Sequence, residues 1–173
     1  ELEAAQSAEA AAIQAQQGAQ EFLNDAVVLG DIILSDSDIT VIDVVNREEA
    51  DIINTYNDVS GTVTLTSVTD ILENVNALSS TAGISIATSD LKVTDVTLLS
   101  DATDLDSFTT GTVTLDIVSD SFANVQSIHD LTPTEENPDG VDLTEALITI
   151  TDPVSLSQAE TANGFSDGLI TLN

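Results

Sequence analysis

GTVTL occupies residues 61–65 and occurs again at residues 111–115, 50 residues further along the chain. Alternate side chains of an extended strand point to opposite faces, so each copy places valine and leucine on one face and threonine on the other. Recurrence at a period of about 20–50 residues is typical of repeat proteins, whose units bury their apolar faces against one another. The two copies therefore predict strands in corresponding positions of a repeated architecture.

An aspartate recurs after each strand-like segment, at spacings of 27, 25, 25 and 32 residues: Asp43, Asp70, Asp95, Asp120 and Asp152. After each one, the apolar residues change to the period of a helix. An aspartate before a helix accepts hydrogen bonds from the first free amides and favours the positive end of the helix dipole. Asp152 before Pro153, and Asp70 with Glu73, have the spacings of helix starts. We therefore predict that each aspartate caps the helix that follows it.

The alternation of strand and helix predicts the fold. Strands are expected at residues 62–65, 84–87, 112–115 and 147–151, each followed by a helix. Strands of one sheet joined through a helix run parallel, and such crossovers are right-handed in nearly all proteins. Residues 30–173 are thus predicted to form an α/β repeat, a right-handed solenoid with one parallel β-sheet and helices on the opposite side.

Residues 1–29 differ in composition, being rich in alanine, glutamine and glutamate, and they are predicted to form one helix. Small residues and one phenylalanine form a seam along one face of this helix: Ala4, Ala8, Ala11, Ala15, Gly18 and Phe22. Two interpretations remain open. The helix could cap the first turn of the solenoid, or it could be a stem that holds two or three chains together.

The charge balance excludes several classes of partner. Thirty-one acidic residues stand against only Arg47 and Lys92, which gives a formal net charge of -29. Such a chain has no basic patch for nucleic acid or for anionic lipid surfaces. It contains no stretch of about 20 apolar residues that could span a membrane. The absence of cysteine and the acidic, threonine-rich composition favour an extracellular, cell-surface or virion location.

Two stretches of the sequence resemble known families of structural proteins. The strand ends VTD and ITD, each followed by a helix such as ILENVNAL or SFANVQSI, resemble the degenerate repeats of large secreted bacterial surface proteins, common in cyanobacteria and marine species; the likeness covers residues 39–173. The stretch AAQSAEAAAIQAQQGAQ looks like the helical stems of phage tail-fibre proteins. Both imply a structural role, and neither implies catalytic residues.

Candidate chemistry is sparse. His129 is the only histidine, and no nucleophile elbow, zinc-protease motif, phosphate loop or dinucleotide fingerprint is present. The chain is therefore predicted not to be an enzyme.

One loop has part of the pattern of a calcium site. Glu135, Asn137, Asp139 and the Val141 carbonyl fall at alternate positions around a turn at Gly140, as in the first half of a calcium loop. The second half departs from the pattern, with Asp142 and Glu145 close by and Ala146 where the last ligand would stand. The departures from the pattern favour a solvated acidic loop, and the alternative is an irregular calcium site, with calcium as a cofactor, that a neighbouring segment completes. Residues 101–106, DATDLD, form a weaker carboxylate cluster.

Taken together, these features predict a non-enzymatic structural module of an extracellular assembly such as a surface layer, adhesin or filament. Self-association is expected end to end, through Leu169, Ile170 and Leu172 of the last strand and through the N-terminal helix. A phage tail fibre or virion appendage is one alternative. Another is a solenoid that binds a ligand or ice through its threonine face.

Overall fold

The computed structural model describes residues 38–57, 61–133 and 139–173. In these ranges the chain has an α/β fold with one eight-stranded sheet and five helices. The strands are β1 (Ile39–Val45), β2 (Val63–Asp70), β3 (Ile84–Ser85), β4 (Asp90–Thr97), β5 (Thr112–Asp120), β6 (Gly140–Asp142), β7 (Leu147–Ile150) and β8 (Ile170–Leu172). The helices are α1 (Arg47–Thr55), α2 (Leu72–Ser79), α3 (Leu99–Phe108), α4 (Phe122–His129) and α5 (Leu156–Ala162). The predicted helix over residues 1–29 lies outside the described residues.

The sheet has the order β1-β2-β4-β5-β7-β8, with β3 paired to β2 and β6 paired to β5. All seven pairings among the described residues are parallel, which confirms the predicted parallel sheet. Val63 lies opposite Ile39, and Val113 lies opposite Leu91, so the two GTVTL segments stand in the same register to their preceding strands. Residues 168–172, GLITL, have that register too, because Ile170 lies opposite Ile148. This third related segment was missed in the sequence.

The strands divide their side chains between two faces as predicted. The valine and leucine of both GTVTL copies are at most 1% exposed, whereas their threonines are half-buried or exposed. The buried strand residues form one core with the helices, which contribute Val75 and Leu78 of α2 and Val125 and Ile128 of α4. Burial of such apolar area, at about 25 cal/mol per Å², is the main force that holds helices to sheet.

One of the predicted strands is wrong. Residues 84–87 are not one strand before a helix, because β3 has two residues and is followed by β4. Successive strands also differ in shape. The pairing of β1 with β2 has a register shift in which β1 holds one extra residue between Val41 and Val44, and the pairing of β4 with β5 has the same shift between Val93 and Val96 of β4.

The aspartates do not cap the helices that follow them. The N-cap residues are instead Asn46, Ile71, Leu98, Ser121 and Ser155. Pro153 precedes α5 and is not its first residue, since the chain continues through Ser155 before the helix begins. The predicted N-cap role of the aspartates is therefore wrong, although their hydrogen bonds do reach helix amides, as described below.

The turns that lead into β5 and β8 share one hydrogen-bond pattern, which we call the corner contact. The Thr109 hydroxyl donates to the Ser89 carbonyl at 2.6 Å and accepts the Gly111 amide at 2.9 Å. Ser166 makes the corresponding pair, donating to the Ala146 carbonyl and accepting the Gly168 amide. A Cβ atom added to Gly111 would lie 2.3 Å from the Ser89 carbonyl oxygen, so the corner has no room for a side chain.

Gly111→Ala is expected to lower the free energy of unfolding by about 2 kcal/mol or more, because backbone must move to admit the methyl group. Gly164→Ala is the matched control, since its added Cβ would lie 3.4 Å from the Thr161 carbonyl oxygen, an ordinary van der Waals contact. The control is expected to change stability by less than about 1 kcal/mol. Urea denaturation of both variants measures the difference, and equal effects would contradict the close approach at the corner.

Candidate functional site

The first amide of a helix has no acceptor inside the helix, and in this sheet a carboxylate from the next strand position supplies one. Four described helices show the same contact. Their first backbone N–H donates to an aspartate 21 to 30 residues later in the chain: Arg47 to Asp70 at 2.9 Å, Leu72 to Asp95 at 2.7 Å, Leu99 to Asp120 at 3.1 Å and Phe122 to Asp152 at 2.7 Å. We call these the cross-strand aspartate contacts.

Two of these carboxylates also bind their own segment of the chain. The second oxygen of Asp70 accepts the Ile71 amide and the Asn74 side-chain amide, each at 2.8 Å. Asp120 accepts the Ser121 amide at 2.7 Å and the Asn124 side chain at 2.8 Å in the same way. Each carboxylate therefore joins two helix starts, one on its own segment and one on the segment before it.

These hydrogen bonds govern the ionisation of both groups. Burial alone would raise the pKa of Asp70, but hydrogen bonds from the Arg47 amide, Asn74 and the Ile71 amide outweigh it and hold that pKa below its ordinary value. The pKa of Asp120 is likewise lowered, because bonds from Leu99, Asn124 and Ser121 outweigh burial. The charged form is thus the one that the fold stabilises.

Strand β1 carries an aspartate, Asp43, at the position that Asp95 holds in β4, but Asp43 lacks the cross-strand contact. Asp43 precedes Val44 in the register shift of β1, as Asp95 precedes Val96 in the shift of β4. Asp95 accepts the Leu72 amide, whereas Asp43 accepts no hydrogen bond from the described residues. Its side chain is exposed.

The residues predicted for self-association lie together at the other end of the sheet. Ile170 and Leu172 belong to β8, which pairs with β7 and with no second strand in the described ranges. Leu169 is 69% exposed and Leu172 is 40% exposed, whereas Ile170 is half-buried. We call residues 169–173 the terminal strand edge. It combines exposed apolar side chains with backbone groups on the side away from β7.

The predicted calcium ligands are only partly visible. Glu135 and Asn137 lie outside the described residues. Val141 is buried in β6, opposite Val113, and Asp142 accepts both the amide and the hydroxyl of Thr144, at 2.9 and 2.6 Å. Asp139, Asp142 and Glu145 form no group of three acidic or histidine ligands, within the described part of the chain, that could hold a metal ion.

His129 ends α4 beside an aromatic pair. Its ring centre lies 4.8 Å from that of Phe165, which lies 5.9 Å from that of Phe122. A cavity of about 210 Å³ adjoins this group and is also lined by Thr132, Thr144 and Asp167. Because Phe165 is buried and its ring contacts the His129 ring, the histidine packs against the apolar core at the end of α4.

The threonine face is not uniform. Lys92 of β4 lies between Thr69 and Thr114, and Asp142 lies on the other side of Thr114. Lys92 also forms an exposed ion pair with Asp116 at 3.1 Å, of a kind that adds about 1 kcal/mol or less to stability. Charged side chains therefore separate the threonines of this row.

In comparisons with known proteins, no family model, no curated protein and no solved structure matches this chain. Within residues 38–57, 61–133 and 139–173, no helix has the length and apolar character needed to cross a membrane.

Asp120→Asn tests the cross-strand aspartate contacts. An asparagine keeps the shape but has one acceptor oxygen, so the Leu99 amide or the pair from Ser121 and Asn124 loses its acceptor. The free energy of unfolding at pH 7 is expected to fall by about 1–3 kcal/mol. Asp104→Asn removes the same charge from an exposed site on α3 and is expected to change it by less than about 0.5 kcal/mol.

The difference between wild type and Asp120→Asn is expected to depend on pH. The pKa of Asp120 is lowered in the fold, so the unfolded chain binds this proton more tightly, and the carboxylate contributes its full stability above the ordinary value of 3.8. The contribution is lost as pH falls through the lowered folded pKa. Urea denaturation at pH 7 and below pH 3 should show the gap narrowing; a constant gap would contradict a role for the charge.

The loop from Glu135 to Glu145 predicts that millimolar calcium raises the melting temperature more than magnesium does at matched ionic strength, because magnesium demands a tighter octahedral shell. Asp139→Asn should reduce the calcium-specific part, whereas Asp104→Asn should leave it unchanged. Differential scanning fluorimetry with both ions provides the measurement. Equal shifts would reduce the effect to screening of the net charge of -29.

Proposed function

We propose that this chain is a non-enzymatic structural module of an extracellular assembly, and that copies associate end to end through the terminal strand edge. The observation that carries the proposal is the outer side of β8, where Leu169 and Leu172 are exposed beside an edge that has no second strand within the described ranges. An edge of this kind is a template for another strand.

The internal contacts support a solenoid as the architecture of this module. Four helices donate their first amide to the aspartate of the following segment, and two corners share the hydroxyl contact before a glycine. Along the sheet order, β1 and β4, which carry the extra residue of a register shift, alternate with β2 and β5. We therefore propose a right-handed coil whose repeat is a two-turn unit, with one strand that carries the extra residue and one partner strand.

The charge favours a structural and extracellular role for this module. A net charge of -29 keeps copies apart at low ionic strength, so association is expected to strengthen with salt or calcium. The carboxylates whose pKa values are lowered serve backbone amides, which is a structural use. The charged residues within the threonine row also disfavour its use as a regular ligand array.

Leu172→Lys is expected to weaken self-association at least tenfold while it leaves the chain folded, because a charge at the edge must be desolvated in the contact. Leu98→Lys is the matched control, because Leu98 is 45% exposed and Leu172 is 40% exposed. Leu98 lies between β4 and α3, away from the terminal strand edge. Light scattering over a range of concentrations, with calcium present, provides the measurement. A wild-type chain that stays monomeric throughout would contradict the proposal.

A further inference from the structure

A row of aliphatic side chains crosses the face of the sheet that points away from the core. Val96 of β4 pairs with Ile117 of β5, which pairs with Leu147 of β7. Leu169 continues the row, because its carbonyl accepts the amide of Ile148, the residue after Leu147, at 3.0 Å. Val96 is 51% exposed, Leu147 is 50% exposed and Leu169 is 69% exposed, whereas Ile117 is half-buried. We call these four residues the apolar row.

Acidic side chains border the apolar row on one side. On each of the four segments an acid stands one or two residues before the aliphatic residue: Asp95, Asp116, Glu145 and Asp167. Asp116 and Glu145 line one cavity of about 230 Å³ and therefore lie close together. The Asp167 amide donates to the Thr144 carbonyl at 2.7 Å, so Asp167 lies beside the segment that holds Glu145. We call these four acids the acidic border.

The first half of the sheet shows that the fold needs neither feature. Val44 of β1 holds the place of Val96, since each ends the register shift of its strand. The residues that continue the row from Val44 are polar: Ser67, Asp90 and Thr112. The residues directly before these three are not acidic: Thr66, Ser89 and Gly111. The aliphatic side chains and the acids beside them are therefore a property of this surface and not a requirement of the core.

The spacing of the apolar row fits a helix that lies across the strands. Neighbouring strands are about 4.8 Å apart, so the four residues extend over about 14 Å. Residues three or four apart on one face of a helix advance about 4.5–6 Å along its axis, which places one side chain over each strand. About ten helical residues cover the row. One flank of such a helix faces the acidic border, where lysine and arginine are electrostatically complementary.

We propose that the apolar row and the acidic border form a docking surface for an amphipathic helix of a partner protein, with aliphatic side chains in one stripe and lysine or arginine beside it. The net charge of -29 favours a basic partner over a second copy of this chain, because two acidic borders repel each other. The proposal goes beyond association through the terminal strand edge and does not rest on it, although Leu169 belongs to both surfaces.

Peptide binding to the full chain, measured by fluorescence anisotropy, tests the apolar row. The probe is a labelled helical peptide with leucine at every third or fourth position and lysine beside the leucine stripe. Val96→Ser is expected to weaken its binding about fivefold, because the contact buries the valine. Val44→Ser is the matched control, since Val44 is 60% exposed at the same place in β1, and it should change binding less than about twofold.

The acidic border is tested with the same peptide. Glu145→Gln is expected to weaken binding about twofold or more, whereas Asp104→Asn, which removes the same charge from α3, should leave it unchanged. A peptide with glutamate in place of each lysine is expected not to bind. Equal binding of the glutamate peptide, or equal effects of the two acid substitutions, would contradict a role for the border.

Three further results would overturn the proposal. One is a wild-type chain that does not bind the lysine peptide. Another is equal binding of a peptide with the same composition but scattered leucines, together with equal effects of Val96→Ser and Val44→Ser, which would reduce the contact to attraction by net charge. The third is loss of self-association in Val96→Ser by light scattering, which would make the apolar row an interface between copies of this chain.

Discussion

The structure depends on where the first amides of its helices find acceptors. An unpaired amide at a partly buried helix start costs about 1–3 kcal/mol, and five short helices of 7 to 10 residues in the described ranges cannot lose many such bonds. Four of them donate their first amide to an aspartate of the next segment. Each of these four helices is therefore completed only when the following segment is in place, which couples neighbouring segments along the sheet.

This coupling explains why so acidic a chain folds into one core. The charge of -29 opposes compaction, but the aspartates of the contacts are held as acceptors at helix starts, where the helix dipole favours a negative charge. Lowered pKa values at Asp70 and Asp120 are the direct sign of this stabilisation. The core beneath is made by the alternation of buried and half-exposed residues in β2 and β5, which encloses the apolar side of each helix.

The buried face of the strands and the parallel sheet could be predicted from the sequence, because both depend on residues that are close together along the chain. The alternation of residues within GTVTL indicates which strand face is buried, the recurrence of the motif predicted strands in corresponding positions, and the alternation of strand and helix predicted the parallel sheet. The aspartates were recognised as helix acceptors, but their partners were assigned wrongly. Residue spacing shows which helix an aspartate precedes, whereas the actual donors lie 21 to 30 residues earlier and are brought near only by the sheet. The split of residues 84–97 into β3 and β4 was missed for a similar reason, since both strands pair with β2.

The candidate association site was easier to find than the candidate metal site. Leu169, Ile170 and Leu172 were predicted to form an open strand edge because they lie in a short strand-like segment, and the structure places Ile170 and Leu172 in β8, with Leu169 and Leu172 exposed. A calcium site depends on how distant ligands converge. Alternate oxygen-bearing residues cannot specify that convergence, and Asp142 is already bonded to Thr144.

The most direct test of the account is detection of the cross-strand aspartate contacts in solution by scalar couplings across hydrogen bonds, with ¹⁵N and ¹³C labels. The account predicts that the backbone nitrogens of Arg47, Leu72 and Leu99 couple to the carboxyl carbons of Asp70, Asp95 and Asp120, respectively. Couplings from these amides to acceptors within their own segments, with none to the three aspartates, would contradict it.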